Sequence, residues 1–271
     1  MRDQVGGQES RGIKSVETAG RLLEVLSRLR DSVELRTLSS AAGMSASLAH
    51  AYLTSFTRMG LVKQNPSTKH YSLGQFAIDL GLSELRSLDP IELALGSIAQ
   101  LRLELDQTVA LSVWGSAGPT VIRVLRADAP LHATLYEGAT LALTTSATGR
   151  AFCAFWPQQV VQKALEIEQA KRHVLQDDTF VSAIADAKLQ GLARISGQPV
   201  PGLVSFSAPV FNHASTMVCA ITVTGRVGSI DVDWDGPVPT ALRRATRNLS
   251  DRLGLPSDSS MTRGPLAPGL G

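Results

Sequence analysis

One stretch of this sequence carries basic and polar side chains without any carboxylate. The residues from Leu35 to Ile78 include four Lys or Arg and no Asp or Glu, although charged residues make up 18% of the chain. A surface that meets phosphate groups gains from such a gap, because a carboxylate there would repel the backbone of a nucleic acid. The alternative is a chance gap in a region rich in Ser and Ala. We take the stretch as a candidate DNA-binding surface, with the contact residues Arg36, Ser45, Ser47, His50, Thr54, Ser55, Arg58, Lys63, Lys69 and His70.

A second group of side chains, in the other half of the chain, suits a small polar ligand. Small residues open a predicted helix at 146–149, where unpaired N–H groups and the positive end of the helix dipole favour a carboxylate. Hydroxyl residues two positions apart lie on the same face of a strand. The alternative is that these hydroxyls line a solvent-exposed sheet face. The candidate ligand-binding residues are Ser146, Ala147, Thr148, Gly149, Ser205, Ser207, Thr222 and Thr224, with Trp114 and Phe152 covering the apolar part of the ligand.

The first group of residues is positioned by three predicted helices and a hairpin. Apolar residues recur at spacings of three and four from Val16 onward, with Ser15 as the expected N-cap, and a brief helix follows at 37–42. A third helix over 45–59 buries a stripe of apolar residues and leaves polar and basic residues opposite. Gly60 ends it, and strands at 61–63 and 70–73 enclose a turn. This order predicts a winged helix-turn-helix, whose third helix fits the major groove.

The second group of residues belongs to a predicted α+β domain. A connecting helix ends where Asp89 precedes Pro90, because a residue before proline resists the α conformation. Beyond it the pattern predicts an antiparallel sheet of about five or six strands with flanking helices. We therefore expect a flexible tail at 1–12, a DNA-binding domain at 13–73, a linker helix at 74–89, a ligand-binding domain at 90–255 and a disordered tail at 256–271.

Composition excludes several other classes of protein. No run of about 18 apolar residues exists that could span a membrane, and the polar amino terminus lacks the apolar segment of a secretory signal. Two cysteines do not make a disulfide framework, and no CxxC pair suggests zinc. We expect a cytoplasmic protein without a cofactor. The net charge of +2 does not by itself argue for nucleic acid, so the charge gap carries that argument.

The sequence also leaves two alternative functions open. An enzyme could use Cys153 as a nucleophile with His132, His173 or His213 as a base. No catalytic signature surrounds these residues, and a cysteine on the apolar side of a helix is ordinarily a buried, inert thiol. Alternatively, the small helical domain could bind a protein. Salt dependence separates this from DNA binding, because contacts to phosphates weaken steeply as salt rises.

The chain resembles the IclR-type transcriptional regulators. The resemblance lies in Ser15–Ala19, in Ala42-Gly43-Met44, in 58–62, in Ser146–Phe152 and in the paired late strands at 207–211 and 220–225. It covers residues 13 to about 254. It implies a GAF-like effector domain behind the winged helix-turn-helix, and a homodimer or tetramer bound to double-stranded operator DNA. It also implies a small organic or aromatic acid as the effector, held by the 146–149 segment and the late strands.

The chain departs from that family's pattern at two places. Where the family often has a threonine and, three residues on, an arginine, this chain has Leu48 and Ala51. His50, Thr54 and Arg58 would then carry more of the base readout. Near position 195, where the family often has an acidic or polar residue, this chain has an isoleucine.

Overall fold

The computed structural model describes residues 12–29, 31–128, 135–172 and 177–256. Most of both expected terminal tails, and the candidate bases His132 and His173, lie outside these ranges. The chain divides after Ser87 into two compact units.

The first unit is the winged helix-turn-helix that the sequence predicts. Its elements are α1 (Lys14–Arg28), α2 (Leu35–Ala41), α3 (Ala46–Arg58), β1 (Val62–Gln64), β2 (Tyr71–Leu73) and α4 (Gln75–Ser87). The two strands pair antiparallel, with Val62 opposite Leu73. Val33 bridges Tyr71 from the other side, through two backbone hydrogen bonds of 2.9 and 2.8 Å. The hairpin is thereby fixed to the segment between α1 and α2.

Buried apolar residues at helical spacing hold the three helices together. Leu22 and Leu26 of α1 pack with Leu38 of α2 and with Ala49 and Leu53 of α3. These side chains are at most 4% exposed. The core is therefore formed by the apolar stripe of each helix, which leaves the opposite side of α3 for other contacts.

The observed start of α3 agrees with the start expected from the sequence, whereas the observed start of α1 differs from it. Ser45 is the N-cap of α3, and its hydroxyl accepts a hydrogen bond from the N–H of Leu48. Gly60 follows α3 with a φ of +77°, a conformation that glycine adopts without steric cost. The expected N-cap Ser15 is wrong. The helix starts two residues earlier than expected, at Lys14 with Ile13 as N-cap, because the N–H groups of Val16 and Glu17 both bond to the carbonyl of Ile13.

The second unit is an α+β domain with one antiparallel sheet in its described residues. Its elements are α5 (Pro90–Leu105), β3 (Thr108–Gly115), β4 (Gly118–Leu125), α6 (Ala147–Phe155), α7 (Gln158–Arg172), α8 (Asp178–Gln190), β5 (Ala193–Ser196), β6 (Leu203–Phe211), β7 (Met217–Arg226) and α9 (Pro237–Arg252). The strand order is β4-β3-β7-β6-β5. This matches the expected architecture.

Helices cover both faces of this sheet. On one face, Ile98 of α5 and Leu242 of α9 pack with Leu111, Phe206 and Ile221 from three strands. Successive side chains of a strand point to opposite faces, so the hydroxyl residues that alternate with these apolar residues face the other way, towards α6. The sheet therefore has no open polar face along β6 and β7, where the hydroxyls are covered by protein.

Candidate DNA-binding surface and ligand cavities

The outward side of α3 carries the candidate base contacts. Ser47, His50, Ser55 and Arg58 are exposed and Thr54 is half-buried, while the apolar residues opposite are buried in the core. One face anchors the helix and the other is available to a partner, as a helix in the major groove requires.

Hydrogen bonds within α3 determine whether its hydroxyl groups can donate to a partner or only accept from it. The Thr54 hydroxyl donates to the carbonyl of His50 at 2.8 Å, and the Ser55 hydroxyl donates to the carbonyl of Ala51 at 3.3 Å. Their protons are used inside the helix, so towards a partner both groups act as acceptors. Donors to a base edge can then come from His50, from Arg58 and from the Ser45–Ser47 hydroxyl pair, which uses only one of its two protons internally.

Leu48 and Ala51 lie on the same exposed side of α3. Leu48 is 41% exposed, and Ala51 is also exposed. An apolar side chain on a recognition helix can contact the methyl group of thymine. At these two positions the exposed surface of α3 is therefore apolar.

The hairpin turn presents two lysines. The Asn65 carboxamide oxygen accepts from the N–H groups of Ser67 and Thr68, at 2.9 and 3.1 Å, which closes the turn. Lys69 follows in the left-handed region with a φ of +61°. Lys63 and Lys69 are both exposed, and Arg36 is exposed on α2.

His70 is placed differently from the other candidate contacts. Its Nε2 lies 3.6 Å from a carboxylate oxygen of Glu34, and the residue is half-buried. The sequence argument missed Glu34 because it stands one position before the carboxylate-free stretch. Folding brings that carboxylate beside the wing, so His70 is the least suited of the set to meet a phosphate.

A cavity of about 140 Å³ lies where α6 begins over the sheet, and we call it the inner cavity. Six of the predicted ligand-binding residues line it: Ser146, Ala147, Thr148, Ser205, Thr222 and Thr224. The sequence argument did not select the rest of its wall, which is Ala110, Leu135, Leu141, Ile195, Gln198, Pro199, Val200 and Leu203. Two glycines, Gly197 and Gly202, flank its last segment and were the available signal for a loop there.

The hydroxyl groups at the inner cavity are bonded to one another. The Thr222 hydroxyl donates to Ser207 Oγ at 2.9 Å, and Thr148 Oγ1 lies 2.7 Å from Thr222 Oγ1. Because Thr222 has given up its proton, Thr148 donates in that second bond. Ser205 and Thr224 form a separate pair at 2.9 Å. The predicted hydroxyl face therefore consists of a network of three hydroxyls, including Thr148 of α6, and a separate pair.

No Lys, Arg or His side chain lines the inner cavity among the described residues. Positive potential there comes from the start of α6, whose first N–H groups have no acceptor within the helix. The Ser146 hydroxyl accepts from the Gly149 N–H at 2.8 Å, which leaves the N–H groups of Ala147 and Thr148 for a ligand. An anion in this cavity would be bound by helix dipole and hydroxyls.

The structure does not bring Trp114 and Phe152 to the inner cavity. Both pack with Trp156 in an aromatic cluster, with ring centroids 5.4 to 5.6 Å apart. Ala110 lines the inner cavity, and Trp114 stands four residues further along β3, a separation of about 13 Å in a strand. These two rings are therefore not placed to cover a ligand in the inner cavity.

Gly149 and Ser207 lie behind the wall of the inner cavity. Ser207 is fully buried and accepts the hydrogen bond from Thr222. Gly149 lies against the preceding segment, where an added Cβ would come within 2.1 Å of the Ala142 carbonyl oxygen. Gly149 thus permits α6 to approach that segment closely.

The two cysteines do not have the properties of nucleophiles. Burial, with a smaller contribution from Glu168, raises the pKa of the Cys153 thiol to about 12. Burial alone raises the pKa of the Cys219 thiol to about 12. Both thiols are protonated at neutral pH, whereas the reactive form is the thiolate.

The described residues hold neither a cluster of metal ligands nor a membrane-spanning helix. No group of three or more His, Cys, Asp or Glu is placed to hold a metal ion. None of the described helices is both long and apolar enough to cross a bilayer.

Comparison with known proteins identifies the family of both units. Residues 15–66 match the IclR helix-turn-helix domain, and residues 82–251 match the domain described as bacterial transcriptional regulator IclR C-terminal. The chain is 25% identical to the transcriptional regulator XynR of Escherichia coli, over 90% of this chain and 99% of that one. It is 28% identical to the glycerol operon regulatory protein of Streptomyces griseus, over 89% and 95% of the two chains.

A crystal structure shows the same relationship in three dimensions. The fold is similar to that of HmgR from Pseudomonas aeruginosa, with a TM-score of 0.84 and 33% identity over 90% of this chain and all of that one. The relatives are transcriptional regulators, and the two domains occur here in the same order. The chain therefore belongs to the IclR family of bacterial transcriptional regulators, with a DNA-binding helix-turn-helix and a C-terminal effector-binding domain.

Proposed function

We propose that this regulator binds operator DNA through α3 and the hairpin, and that a small organic acid in the inner cavity changes its affinity for the operator. The observation that carries the DNA-binding part is the exposed side of α3, which presents His50 and Arg58 within a stretch free of carboxylates. The DNA-binding domain then comprises residues 13–73, the linker helix 74–89 and the effector domain 90–255, and the protein acts in the cytoplasm.

On this proposal the contacts divide into two kinds. His50, Arg58 and the exposed Leu48 face base edges, and the lysines of the hairpin contact phosphates. Since phosphate contacts release counterions, each one contributes about 0.9 to the slope of log affinity against log salt. His70 contributes least, because Glu34 lies beside it.

The effector is small and acidic on this proposal. The inner cavity of about 140 Å³ leaves no room for a large ligand. The start of α6 accommodates a carboxylate, as helix N-termini commonly do. The hydroxyls of Ser205 and Thr224 have two protons and use one in their mutual bond, so the second is available to the ligand.

The regulator acts as a homodimer, or as a tetramer built from two dimers. The support is α4, whose side chains Phe76, Ile78, Leu80 and Leu82 are between 40% and 53% exposed. A helix apolar around much of its surface is ordinarily buried, and a second copy of α4 would bury it. A dimer also presents two recognition helices to two half-sites.

Salt dependence tests the DNA-binding part. Duplexes selected from a random pool by the full-length protein would be titrated between 50 and 200 mM salt, with Lys69→Asn as the variant. Asparagine tolerates the left-handed conformation, so this change removes the charge without adding strain. We expect a steep slope for the parent and a slope smaller by about 1 for the variant. Binding that does not depend on salt would favour a protein partner instead.

The effector part is tested separately with Thr148→Val. Valine preserves the shape of threonine and removes the hydroxyl that faces the inner cavity. A thermal-shift screen of small organic acids identifies binders, because a ligand that binds the folded state raises Tm. We expect at least one hit, and we expect the variant to lose that shift while still binding DNA. A screen without hits, or an unchanged shift in the variant, would contradict the effector proposal.

A further inference from the structure

A second and larger cavity lies in the same unit, and we call it the outer cavity. Its volume is about 610 Å³, within the range of roughly 300–1,000 Å³ that is usual for small-molecule sites. It lies between the β3–β4 turn, residues 140–143 and one side of α7. The residues that matter for its chemistry are Trp114, Leu141, Val160, Lys163, Ala164 and Ile167.

The floor of the outer cavity is aromatic and rigid. Trp114 stacks on Trp156 with ring centroids 5.6 Å apart and an interplanar angle of 11°, and Phe152 packs edge-on against both rings. Trp114 also lines the outer cavity. A ring fixed by two neighbours loses little further freedom when a planar ligand packs on it.

The helical wall of the outer cavity is apolar but open to solvent. Val160 is 42% exposed and Ile167 is 57% exposed, and both line the cavity on α7. Covering these side chains with a ligand would remove apolar surface from water, which is favourable. The wall therefore suits the apolar body of a ligand.

Two charged side chains, Lys163 and Glu168, line the outer cavity, and among the described residues only Glu168 has hydrogen-bond partners there. The Glu168 carboxylate accepts hydrogen bonds from the N–H of Leu143 at 2.7 Å, and from the N–H and hydroxyl of Thr144 at 3.2 and 2.6 Å. These three hydrogen bonds hold the Glu168 carboxylate at the 143–144 segment. Lys163 has no ion-pair partner among the described residues, and no other Lys or Arg lines the cavity. An acid group on a ligand can therefore pair with Lys163.

We propose that the outer cavity is a second ligand site, which binds an aromatic monoanion with its ring on Trp114 and its acid group at Lys163. The site is separate from the inner cavity, which has no cationic side chain and no aromatic floor. The two sites differ in size and in the way they hold an anion, so they select different ligands.

The two cavities share a wall. Leu141 lines both. The Ala142 carbonyl accepts a hydrogen bond from the Ser146 hydroxyl at 2.6 Å, and Gly149 lies against Ala142 and Leu143 without room for a Cβ. A ligand that displaces residues 140–143 in the outer cavity must therefore displace the start of α6, which forms the inner cavity. Occupancy of the outer site thus changes the affinity of the inner site, and the coupling is reciprocal.

The probe for this site is 8-anilinonaphthalene-1-sulfonate, an aromatic monoanion whose fluorescence reports an apolar environment. Full-length native protein would be titrated with it, together with Ala164→Trp, which fills the cavity, and Lys163→Glu, which inverts its charge. Lys188→Glu makes the same charge change on the exposed side of α8, outside the cavity lining. We expect saturable binding of one probe per chain, lost in Ala164→Trp, weakened at least tenfold in Lys163→Glu and changed less than twofold in Lys188→Glu.

Three results would overturn the proposal. Equal weakening by Lys163→Glu and Lys188→Glu would show that the probe senses only net charge. Loss of probe binding in Val200→Trp, which obstructs the inner cavity, together with binding retained in Ala164→Trp, would place the probe in the inner site. A change in oligomeric state in Ala164→Trp, with no saturable probe binding by the parent, would assign this surface to a second copy of the chain. Because Thr148→Val leaves the outer cavity untouched, the proposed effector site and this second site succeed or fail independently.

Discussion

Arg58 is the only Lys or Arg of α3, and it is exposed at the last position of that helix. An arginine can make paired hydrogen bonds to guanine or to a phosphate, whereas the hydroxyl protons of Thr54 and Ser55 are used inside the helix. At the scale of single residues, Arg58 is therefore the side chain of this surface with the most hydrogen-bond donors.

We expect Arg58→Ala to weaken binding to selected duplex DNA by about 1–3 kcal/mol, roughly fivefold to 150-fold. Lys188→Ala removes the same charge from the exposed surface of the effector domain and should leave DNA binding unchanged. Fluorescence anisotropy at fixed salt measures both. If the two variants bind equally well, α3 is not the recognition element.

The buried thiols make a second prediction at this scale. Their pKa of about 12 in the folded protein exceeds the ordinary value of 9.0, so neither should react with Ellman's reagent at pH 8 until the protein unfolds. Because the folded pKa is the higher one, the protonated thiols stabilise the fold below pH 9. That contribution is lost as pH rises from 9 towards 12.

The matched variant for this prediction is Cys153→Ala combined with Cys219→Ala. Its free energy of unfolding should fall less steeply than that of the parent between pH 9 and 12. Rapid labelling of either thiol in the native protein at pH 8 would contradict the prediction and would reopen the enzyme hypothesis.

At the scale of elements, two helical glycines serve opposite purposes. Gly149 lies in α6 where a Cβ would come within 2.1 Å of the Ala142 carbonyl oxygen and 2.5 Å of Leu143 Cα, both backbone atoms. Gly96 lies in α5 with nothing within 4 Å of the same position. The first glycine allows a close approach of two segments, while the second only weakens its helix.

We therefore expect opposite effects of the same substitution. Gly149→Ala should destabilise the fold by about 1–3 kcal/mol, because the helix must move away from residues 142–143. Gly96→Ala should stabilise it by about 0.5–1 kcal/mol, because alanine is the better helix former. Urea unfolding measures both. A neutral or stabilising effect of Gly149→Ala would show that α6 does not approach the segment as closely as described.

At the scale of the whole molecule, the proposed dimer depends on α4. Replacing Ile78 and Leu82 together by Glu should produce a monomer, because charges would then occupy the apolar surface that a second copy buries. The monomer should lose most of its affinity for a two-half-site duplex, since each DNA-binding domain then binds alone. Sedimentation velocity gives the mass.

A paired control comes from α8. Val181 and Leu189 are 59% and 65% exposed, so their double replacement by Glu changes a comparable apolar surface in the effector domain. This control should remain at least dimeric. A double α4 variant that sediments like the parent would rule out this helix as the interface.

Features that depend on residues close together in the chain were determined by the sequence alone. The helical spacing of apolar residues predicted three helices and a hairpin, Ser146 was predicted as the N-cap of a helix, and alternation marked the strands. Six of the residues that line the inner cavity were identified in the same way. These features are local, since period and capping depend on a few neighbouring residues.

Which distant residues meet was decided only by the tertiary structure. Thr148 and Thr222 are 74 residues apart and share a hydrogen bond, because β7 lies in the centre of the sheet beneath α6. Trp114 shares a sheet face with Ala110 but lies too far along β3 to reach the inner cavity, and Glu34 comes to lie beside His70 through the pairing of Val33 with Tyr71. The outer cavity likewise exists only where α7 packs across from the β3–β4 turn. Periodicity tells which face of an element a side chain occupies, but strand order and the offset along each strand decide what it touches.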